Sequence, residues 1–302
     1  MAQLSVCVLA KAAFGQDVSW GSDDILAGHI LTFKDALLTA SKTMRYLLII
    51  PNSEMISTRR ESKAPDVHEF LNERHDLFSQ LISARDAEDM LTEDELIANV
   101  FIFMVAGHET TAHIFAIILS LLALYPQVQD RLFKQVRQLE QEHGDLTYSN
   151  IQLLTYAMAA VYETLCLFPM AGLMPKTSSA DTTLTFGFPP NAKSVPVPVP
   201  VPVPASTLVP FQFQFQFQFQ FQLRLWSFSL GPRACIGRRF AETLLAAELV
   251  TLISKYSITI NENRFKSIEG EPIVERRSRL ICPEVRLTLI PATVPLVFLR
   301  RE

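Results

Sequence analysis

The pattern of hydrophobic and polar positions predicts one long helix near the middle of the chain. Thr92 and Glu95 have the spacing of a capping box, which begins a helix, and Pro126 is a residue that ends one. The stretch from 92 to 125 would form a helix about 50 Å long at about 1.5 Å per residue. Because this stretch is apolar on most faces, we expect it to pass through a hydrophobic core.

Shorter helices are predicted around it from apolar residues at helical spacing. They lie at 127–143, about 150–168 and 238–256, with a surface helix within 61–90 and short helical segments at 33–38 and 46–50. The tail alternates apolar and polar residues at 285–290 and 294–299, which predicts two short strands. The expected fold is therefore mainly α with a small β part.

Two dipeptide repeats interrupt this pattern between residues 189 and 227. Val195–Pro204 consists of five Val-Pro units, and Phe211–Gln222 consists of six Phe-Gln units. Val-Pro repeats favour extended, polyproline-like backbone and cannot donate a full ladder of sheet hydrogen bonds. The repeats divide the chain into a helical region (1–188), a low-complexity segment (189–227) and a C-terminal region (228–302).

We hypothesise that both repeats come from one expanded DNA sequence. GTT-CCA encodes Val-Pro, and the same repeat shifted by one base contains TTC-CAG, which encodes Phe-Gln. A frame slip near Pro210 and a second slip before Phe228 would then produce both segments. A genuine low-complexity linker is the alternative, and the codons across 189–227 distinguish the two.

Composition and charge exclude several classes of protein. The 302 residues are 49% hydrophobic with a formal net charge of −4, so there is material for a large core and no excess of basic residues for nucleic-acid binding. Four cysteines, at 7, 166, 235 and 282, are too widely spaced for a disulfide scaffold or a zinc site, which favours a reducing, intracellular compartment. The longest apolar run, 114–125, is shorter than the ~20 residues that a membrane-spanning helix needs, so no spanning segment is expected.

The strongest chemical signal is a cysteine just before a predicted helix. Phe228 and Gly231 precede Cys235, Arg233 lies two residues before it, and Gly237 lies two residues after it. The positive end of a helix stabilises a thiolate, glycines let a flat partner approach the backbone, and arginine binds carboxylates with its fork of donors. These residues suit a thiolate ligand to haem iron. The alternative for a lone cysteine is a buried, inert side chain.

A second candidate site lies on the long helix, where residues 106–111 are A-G-H-E-T-T. Ala106 and Thr110 share a helix face, and small side chains there leave room for a porphyrin and a diatomic ligand. Thr110 offers a hydroxyl and Glu109 a carboxylate for moving protons to bound oxygen. The alternative is a notch for helix packing with a solvated glutamate. His108 and His113 do not have the H-E-x-x-H spacing of a zinc site, so we interpret them as packing or surface histidines.

Through these motifs the chain resembles the cytochrome P-450 family. Residues 228–237 match its haem-loop pattern, F-x-x-G-x-R-x-C-x-G, at every fixed position, and residues 106–111 match its distal A-G-x-E-T-T segment. The resemblance implies the C-terminal portion of the P-450 fold and a haem b (iron protoporphyrin IX) bound through Cys235. It also implies that Phe228 packs beside the haem and that Arg233 binds a propionate. The remaining cofactor-binding residues that it implies are Gly231, Gly237, Ala106 and Gly107.

A third family motif, the E-x-x-R helix, is matched with one departure. Residues 163–166 correspond to it, but Cys166 stands where the motif has arginine. A buried Glu163 without this partner would cost roughly 3–5 kcal/mol, unless it takes a proton or another cation. Cys166 as a second metal ligand is a less favoured alternative. We also expect the family's N-terminal part, with its membrane anchor, to be missing, and the low-complexity segment to replace the link between the E-x-x-R helix and the haem loop.

The activity implied by the resemblance is haem-thiolate monooxygenation. One oxygen atom of O2 would enter an apolar small molecule, with electrons from an NADPH-dependent reductase and with Glu109 and Thr110 handling protons. The alternative is a degenerate, non-catalytic relative that binds haem weakly or not at all, which Cys166 and the repeats favour. A helical interaction protein without a cofactor would explain the composition but not the Cys235 loop. Full-length eukaryotic relatives lie at the endoplasmic reticulum membrane, and the sequence leaves the location of this chain open.

Overall fold

The structure, a computed structural model, describes residues 11, 77, 80–82, 91–171, 173–177, 180–186, 199–203, 208–212, 227–229, 231–285 and 288–301. Its principal helices in these ranges are α1 (Glu93–Leu124), α2 (Pro126–His143), α3 (Thr155–Leu167), α4 (Arg238–Lys255) and α5 (Ile273–Ile281). Of the surface helix predicted within 61–90, residues 77 and 80–82 are described, and they are helical. The segments predicted at 33–38 and 46–50 lie outside the described residues.

The long helix α1 begins and ends at the residues that its sequence signals indicate. The Thr92 amide donates to Glu95 Oε2 at 2.9 Å, and the Glu95 amide donates to Thr92 Oγ1 at 3.3 Å, so the capping box is formed. Tyr125 caps the C-terminal end, and Pro126 follows as the first residue of α2. A proline at this position removes an amide that has no partner within the helix in any case.

The next two helices lie close to their predicted ranges. α2 ends at Gly144, whose φ of +74° is one that glycine adopts without a steric penalty. The helix predicted at about 150–168 is divided into a short 3-10 helix, Ile151–Leu153, and α3. α3 ends two residues before Pro169, which cannot continue a helix.

The strands form antiparallel pairs within the described residues. β1 (Leu173–Thr177) pairs with β4 (Leu208–Gln212), and β2 (Thr182–Phe186) pairs with β3 (Val199–Val203). β5 (Tyr256–Ile260) pairs with β8 (Leu296–Arg300), and β6 (Glu284–Val285) pairs with β7 (Leu289–Ile290). The predicted strand at 294–299 therefore corresponds to β8, whereas the one predicted at 285–290 is two shorter strands. The helix predicted to reach 256 ends one residue earlier, where β5 begins.

Part of the Val-Pro repeat is a strand rather than polyproline helix. In β3, Pro200 and Pro202 lie opposite Thr185 and Thr183 of β2. Successive backbone amides of a strand point to opposite edges, so prolines at alternate positions remove the donors from one edge and leave the other intact. A repeat of this kind can pair with one neighbour along a full edge, which explains how it forms a strand.

The core lies where α1 packs against α2, α3, α4 and β5. These helices contribute aliphatic and aromatic side chains that are almost fully inaccessible to solvent, and α5 adds two more residues at one side. The largest core side chains that are fully buried are Phe115, Ile117, Ile118, Leu119, Leu132, Leu154, Leu245, Leu249, Ile253, Ile258 and Ile281.

Helix α1 bears on the expectation that no segment spans a membrane, because it has the length and composition of a spanning helix. Its residues Asp94–Leu124 form a helix long and apolar enough to do so by length and composition. The uninterrupted apolar run at 114–125 is shorter than this helix, because a spanning helix tolerates a few polar residues such as those at 108–111. In this structure the C-terminal half of α1 is covered by other helices, as in the core helix of a globular fold.

Candidate functional site

The loop that contains Cys235 is a tight turn closed by backbone hydrogen bonds. The Cys235 amide donates to the Phe228 carbonyl at 2.7 Å, and the Ala234 amide donates to the Gly231 carbonyl at 3.0 Å. Gly231 has a φ of +72°, and no atom lies within 4 Å of an added Cβ, so glycine is needed there for its backbone conformation rather than for space. The turn thus brings the backbone of Cys235 next to that of Phe228.

Cys235 lies three residues before the start of α4 with its side chain exposed. It is a thiol, as are Cys166 and Cys282. The Arg238 amide donates to the Cys235 carbonyl at 3.3 Å, which joins the loop to the first turn of α4. A Cβ on Gly237 would lie 4.0 Å from Cys235 Sγ, so glycine leaves that side of the sulfur uncovered. The sulfur is therefore accessible to a partner and lies near the positive end of a helix.

The structure describes the side chain of one further predicted loop residue, Phe228, but not that of another, Arg233. Phe228 is half-buried and packs against the hydrophobic core, so the loop is anchored at its start. Arg233 lies in the short 3-10 helix Gly231–Arg233, and its side chain is outside the described part of the structure. Its interaction with a propionate stays a prediction.

The A-G-H-E-T-T segment of α1 has an accessible side and a buried side. Ala106 is exposed and Thr110 is half-buried, whereas His108 and Thr111 are buried. The Thr110 hydroxyl donates to the Ala106 carbonyl at 2.7 Å. Because this bond uses its proton, Thr110 keeps oxygen lone pairs that can accept a hydrogen bond. Glu109, like Gly107, is half-buried.

The two histidines of α1 lie in packed surroundings. His108 is 2% exposed, and His113 is half-buried with its Nδ1 3.2 Å from Thr288 Oγ1. Burial, together with the nearby His108, lowers the pKa of His113 to about 4, so this ring is neutral near pH 7. Both therefore fit the interpretation as packing residues.

The structure corrects the expectation for Glu163. The penalty expected from the sequence requires a buried carboxylate, but the Glu163 side chain is exposed on α3, while Val161, Thr164 and Leu165 face the core. Glu163 and Arg277 of α5 both line a surface cavity of about 450 Å³. Since the carboxylate is exposed to water, the penalty for an unpaired buried charge does not apply.

One polar cluster beside the Cys235 loop was missed by the sequence analysis. Arg238 and Glu242 form an ion pair on α4, and both contact Tyr162 of α3. The spacing of four residues between arginine and glutamate was a readable signal for the pair. Nothing local in the sequence indicates Tyr162, because α3 and α4 meet only through tertiary packing.

Comparison with known proteins identifies the family. A family model described as Cytochrome P-450 matches residues 26–188 and 216–283, which is more than half of the chain. The chain belongs to the cytochrome P-450 family, as its motifs predicted. The stretch between the two matched ranges contains all of the Val-Pro units, so the interruption seen in the composition is also an interruption of the family pattern.

Individual relatives agree with this assignment. Cytochrome P-450 monooxygenase 124 of Postia placenta is 32% identical over 341 residues, covering 99% of this chain and 64% of that protein. Cytochrome P-450 3A9 of Rattus norvegicus is 28% identical over 187 residues, covering 59% of this chain and 37% of that protein. This chain thus spans less than two thirds of the length of either relative.

A solved structure supports the fold. A crystal structure of a cytochrome P-450 superposes with a TM-score of 0.65 at 20% sequence identity, covering 99% of this chain and 67% of that one. The prediction of a mainly helical chain with a small β part, corresponding to a portion of the P-450 fold, is confirmed.

The family implies a haem cofactor, and the residues present fit one. Cys235 offers an accessible thiol, with Gly237 leaving one side of the sulfur uncovered. Across the ranges that the structure describes, no three His, Cys, Asp or Glu side chains come together as a metal site. Haem iron needs only one or two axial protein ligands, so a single sulfur is a sufficient donor.

Proposed function

We propose that this chain is a haem-thiolate monooxygenase that inserts one oxygen atom of O2 into an apolar small molecule. The observation that carries the proposal is the exposed thiol of Cys235. The backbone amide of this residue donates to the Phe228 carbonyl, and the residue lies just before the N-terminal end of α4. Membership of the family supports the reaction class. When bound, haem b supplies the binding and activation of O2 that no side chain provides, with electrons from an NADPH-dependent reductase.

The loop residues hold the cofactor in this proposal. Cys235 would bind the iron through its sulfur, and Phe228 fixes the start of the loop by packing against the core. Gly231 adopts the positive φ of the turn that brings Cys235 within hydrogen-bonding distance of Phe228. Gly237 keeps the sulfur open, and Arg233 binds a propionate with its guanidinium.

The residues of the A-G-H-E-T-T segment on α1 would line the space beside the bound cofactor in this proposal. Ala106 and Gly107 leave space because their side chains are small. Thr110 accepts a hydrogen bond, since its own proton is held by the Ala106 carbonyl, and Glu109 exchanges protons with water. With a haem bound, Thr110 and Glu109 would supply a hydrogen-bond acceptor and a proton-exchanging carboxylate on this part of α1.

Titration of the purified chain with hemin tests the cofactor. We expect saturable binding of one haem per chain, followed by Soret absorption, and a loss of affinity of about tenfold or more in Cys235→Ala. Cys282→Ser is the matched control, because Cys282 is also an exposed thiol and lies outside the loop. Equal binding by Cys235→Ala and the control would contradict the proposal.

The second candidate is a degenerate relative that binds haem weakly or not at all. It is favoured by Cys166, which replaces the arginine of the E-x-x-R motif. The test is Cys166→Arg in the same titration. If haem affinity is poor in the natural chain and rises with this substitution, the degenerate function is supported over the enzymatic one.

Transfer of oxygen is tested separately with the haem-loaded chain. With NADPH, a P-450 reductase and 7-ethoxycoumarin as an apolar probe, we expect 7-hydroxycoumarin to form from the haem-loaded chain. The haem-free chain is the control. Haem binding without any product from this probe or from a panel of apolar probes would favour the degenerate relative.

A further inference from the structure

Arg238, Tyr162 and Glu242 form a closed ring of hydrogen bonds beside the Cys235 loop. Arg238 Nε donates to Glu242 Oε1 at 2.7 Å, and Arg238 Nη2 donates to the Tyr162 hydroxyl at 2.9 Å. The Tyr162 hydroxyl in turn donates to Glu242 Oε1. Each of the three side chains therefore contacts both of the others, and we call them the Arg238 ring. Charge-assisted hydrogen bonds of this kind are stronger than neutral ones.

The Arg238 ring joins two helices that sequence places far apart. Tyr162 belongs to α3, directly before Glu163, whereas Arg238 and Glu242 lie in the first two turns of α4. The three side chains are half-buried. The ring therefore ties the start of α4 to α3 by more than apolar packing.

The same arginine contacts both ends of the Cys235 loop. Its guanidinium carbon lies 5.7 Å from the centroid of the Phe228 ring, within the range of a cation–π contact. Phe228 provides the carbonyl that accepts from the Cys235 amide, and the Arg238 amide donates to the Cys235 carbonyl. The two backbone hydrogen bonds of Cys235 therefore involve Arg238 itself and Phe228, whose ring the Arg238 side chain contacts.

The ionisation of the ring is suited to a permanent connection. Its hydrogen bond to Glu242 raises the pKa of Arg238, so the guanidinium stays charged. Burial, followed by the hydrogen bond to Glu242, raises the pKa of Tyr162, so its hydroxyl keeps the proton that it donates. The ring does not depend on pH near neutrality through these two groups.

The Arg238 ring contacts α3, the helix on which the E-x-x-R motif would place an arginine that this chain lacks. In the E-x-x-R motif an arginine on this helix would supply the charged contacts of α3, and here Cys166 has no such donors. Glu163 is exposed and lines the cavity that also contains Arg277. In this chain the guanidinium that contacts α3 belongs instead to Arg238 of α4.

We propose that the Arg238 ring is the polar connection that holds the Cys235 loop against α3 in this chain. Arg238 is then a positioning residue for the Cys235 sulfur. The proposal rests on the proposed function only for what the sulfur binds, since the connection itself exists in the protein without a cofactor.

Hydrogen exchange of the Cys235 amide in the haem-free chain tests the connection directly. We expect Arg238→Ala to accelerate this exchange about tenfold or more, because the residues on both sides of the loop lose their tie. Arg239→Ala is the matched control, since Arg239 is the next residue on α4 and is exposed. Equal exchange rates in Arg238→Ala and Arg239→Ala would overturn the proposal.

Tyr162→Phe separates the connection between helices from the ion pair within α4. This variant leaves Arg238 and Glu242 paired and keeps an aromatic ring at position 162, so folding is preserved even if Arg238→Ala fails to fold. We expect faster exchange of the Cys235 amide than in the wild type, by a smaller factor than for Arg238→Ala. An unchanged rate in Tyr162→Phe would contradict the role of α3.

The haem-loaded chain supplies a spectroscopic readout that a purely structural role would not change. We expect Arg238→Ala to lose part of the thiolate-type Soret band of the reduced carbon monoxide complex, and Arg238→Lys to retain more of it. In a Cys166→Arg background the loss caused by Arg238→Ala should be smaller, because the introduced arginine supplies a guanidinium from α3. If the wild type lacks the thiolate band, the proposed function fails, whereas the exchange measurement still decides the connection.

Discussion

Glu248 lies on the buried face of α4, and within the described residues neither of its carboxylate oxygens has a hydrogen-bond partner. Burial raises its pKa from 4.5 to about 7. Leu245 and Leu249 are buried on the same face, so the apolar spacing that predicts this helix gives no indication of the acidic residue between them. A charged group here is poorly solvated, so the folded state favours the protonated form.

The stability of the chain should therefore fall as pH rises through this range. Between about pH 4.5 and 7 the folded state binds more protons at Glu248 than the unfolded state does. The free energy of unfolding then falls by up to about 3 kcal/mol, and it stays reduced above pH 7. Glu248→Gln should remove this loss, so urea denaturation at about pH 8 should show a more stable protein than the wild type.

The control for Glu248 is an exposed glutamate outside the core. Glu269→Gln changes the same charge at an exposed position and should leave the pH dependence unchanged. If Glu248→Gln and Glu269→Gln show the same difference in stability between about pH 5 and pH 8, Glu248 is paired or solvated and the argument fails.

The titration of His113 should change the stability of the chain with pH in the opposite direction to that of Glu248. Its pKa is lowered from 6.5 to about 4 by burial and by His108, so the unfolded state binds the proton more readily than the folded state. The stability that it contributes is present above about pH 6.5 and is lost as pH falls toward 4. His113→Gln should reduce the loss of stability on the acid side, measured by urea midpoints at about pH 7 and pH 5. His143→Gln, at an exposed position on α2, is the control.

At the scale of elements, Gln129 connects three parts of the core. Its Nε2 donates to the carbonyls of Leu122 at 3.1 Å and Ile258 at 2.9 Å, and its Oε1 accepts from the Ile258 amide at 2.8 Å. The side chain thus joins α2 to the end of α1 and to β5, although it is only 2% exposed. A buried amide that satisfies three backbone groups contributes to stability mainly because those groups would otherwise lack partners.

Replacement of this amide by a hydrocarbon should be strongly destabilising. Gln129→Leu removes every one of these hydrogen bonds and leaves the Ile258 amide buried without them. We expect the free energy of unfolding to fall by about 2–4 kcal/mol, measured by urea denaturation. Gln141→Leu, at an exposed position of the same helix, should change it by less than about 0.5 kcal/mol. Equal effects at both positions would contradict the connecting role of Gln129.

The elements differ in how far the sequence alone predicts them. The ends of α1 were predictable because Thr92 and Pro126 act on their own neighbours. Strand β5 was not, since Tyr256 continues the apolar stripe of α4 and its strand conformation depends on pairing with Arg300, 44 positions along the chain. α5 was missed because Arg276, Arg277 and Arg279 give it a largely polar sequence, and its burial rests on Leu280 and Ile281.

At the scale of the whole molecule, the sequence alone predicts one part of the candidate site and does not predict another. The Cys235 loop was predictable because its residues act within ten consecutive positions. The Arg238 ring was not, because Tyr162 and Arg238 are 76 positions apart and meet through the packing of α3 on α4. Glu163 illustrates the opposite error, since its motif suggested burial and the fold leaves it exposed.

The measurement that tests the central claim most directly is the absorption spectrum of the reduced, haem-loaded chain with carbon monoxide. The account predicts the red-shifted Soret band of thiolate ligation, present in the wild type and in Cys282→Ser and absent in Cys235→Ala. A band typical of imidazole ligation in the wild type, or the same thiolate band after Cys235 is replaced, would contradict the assignment of Cys235 as the haem ligand.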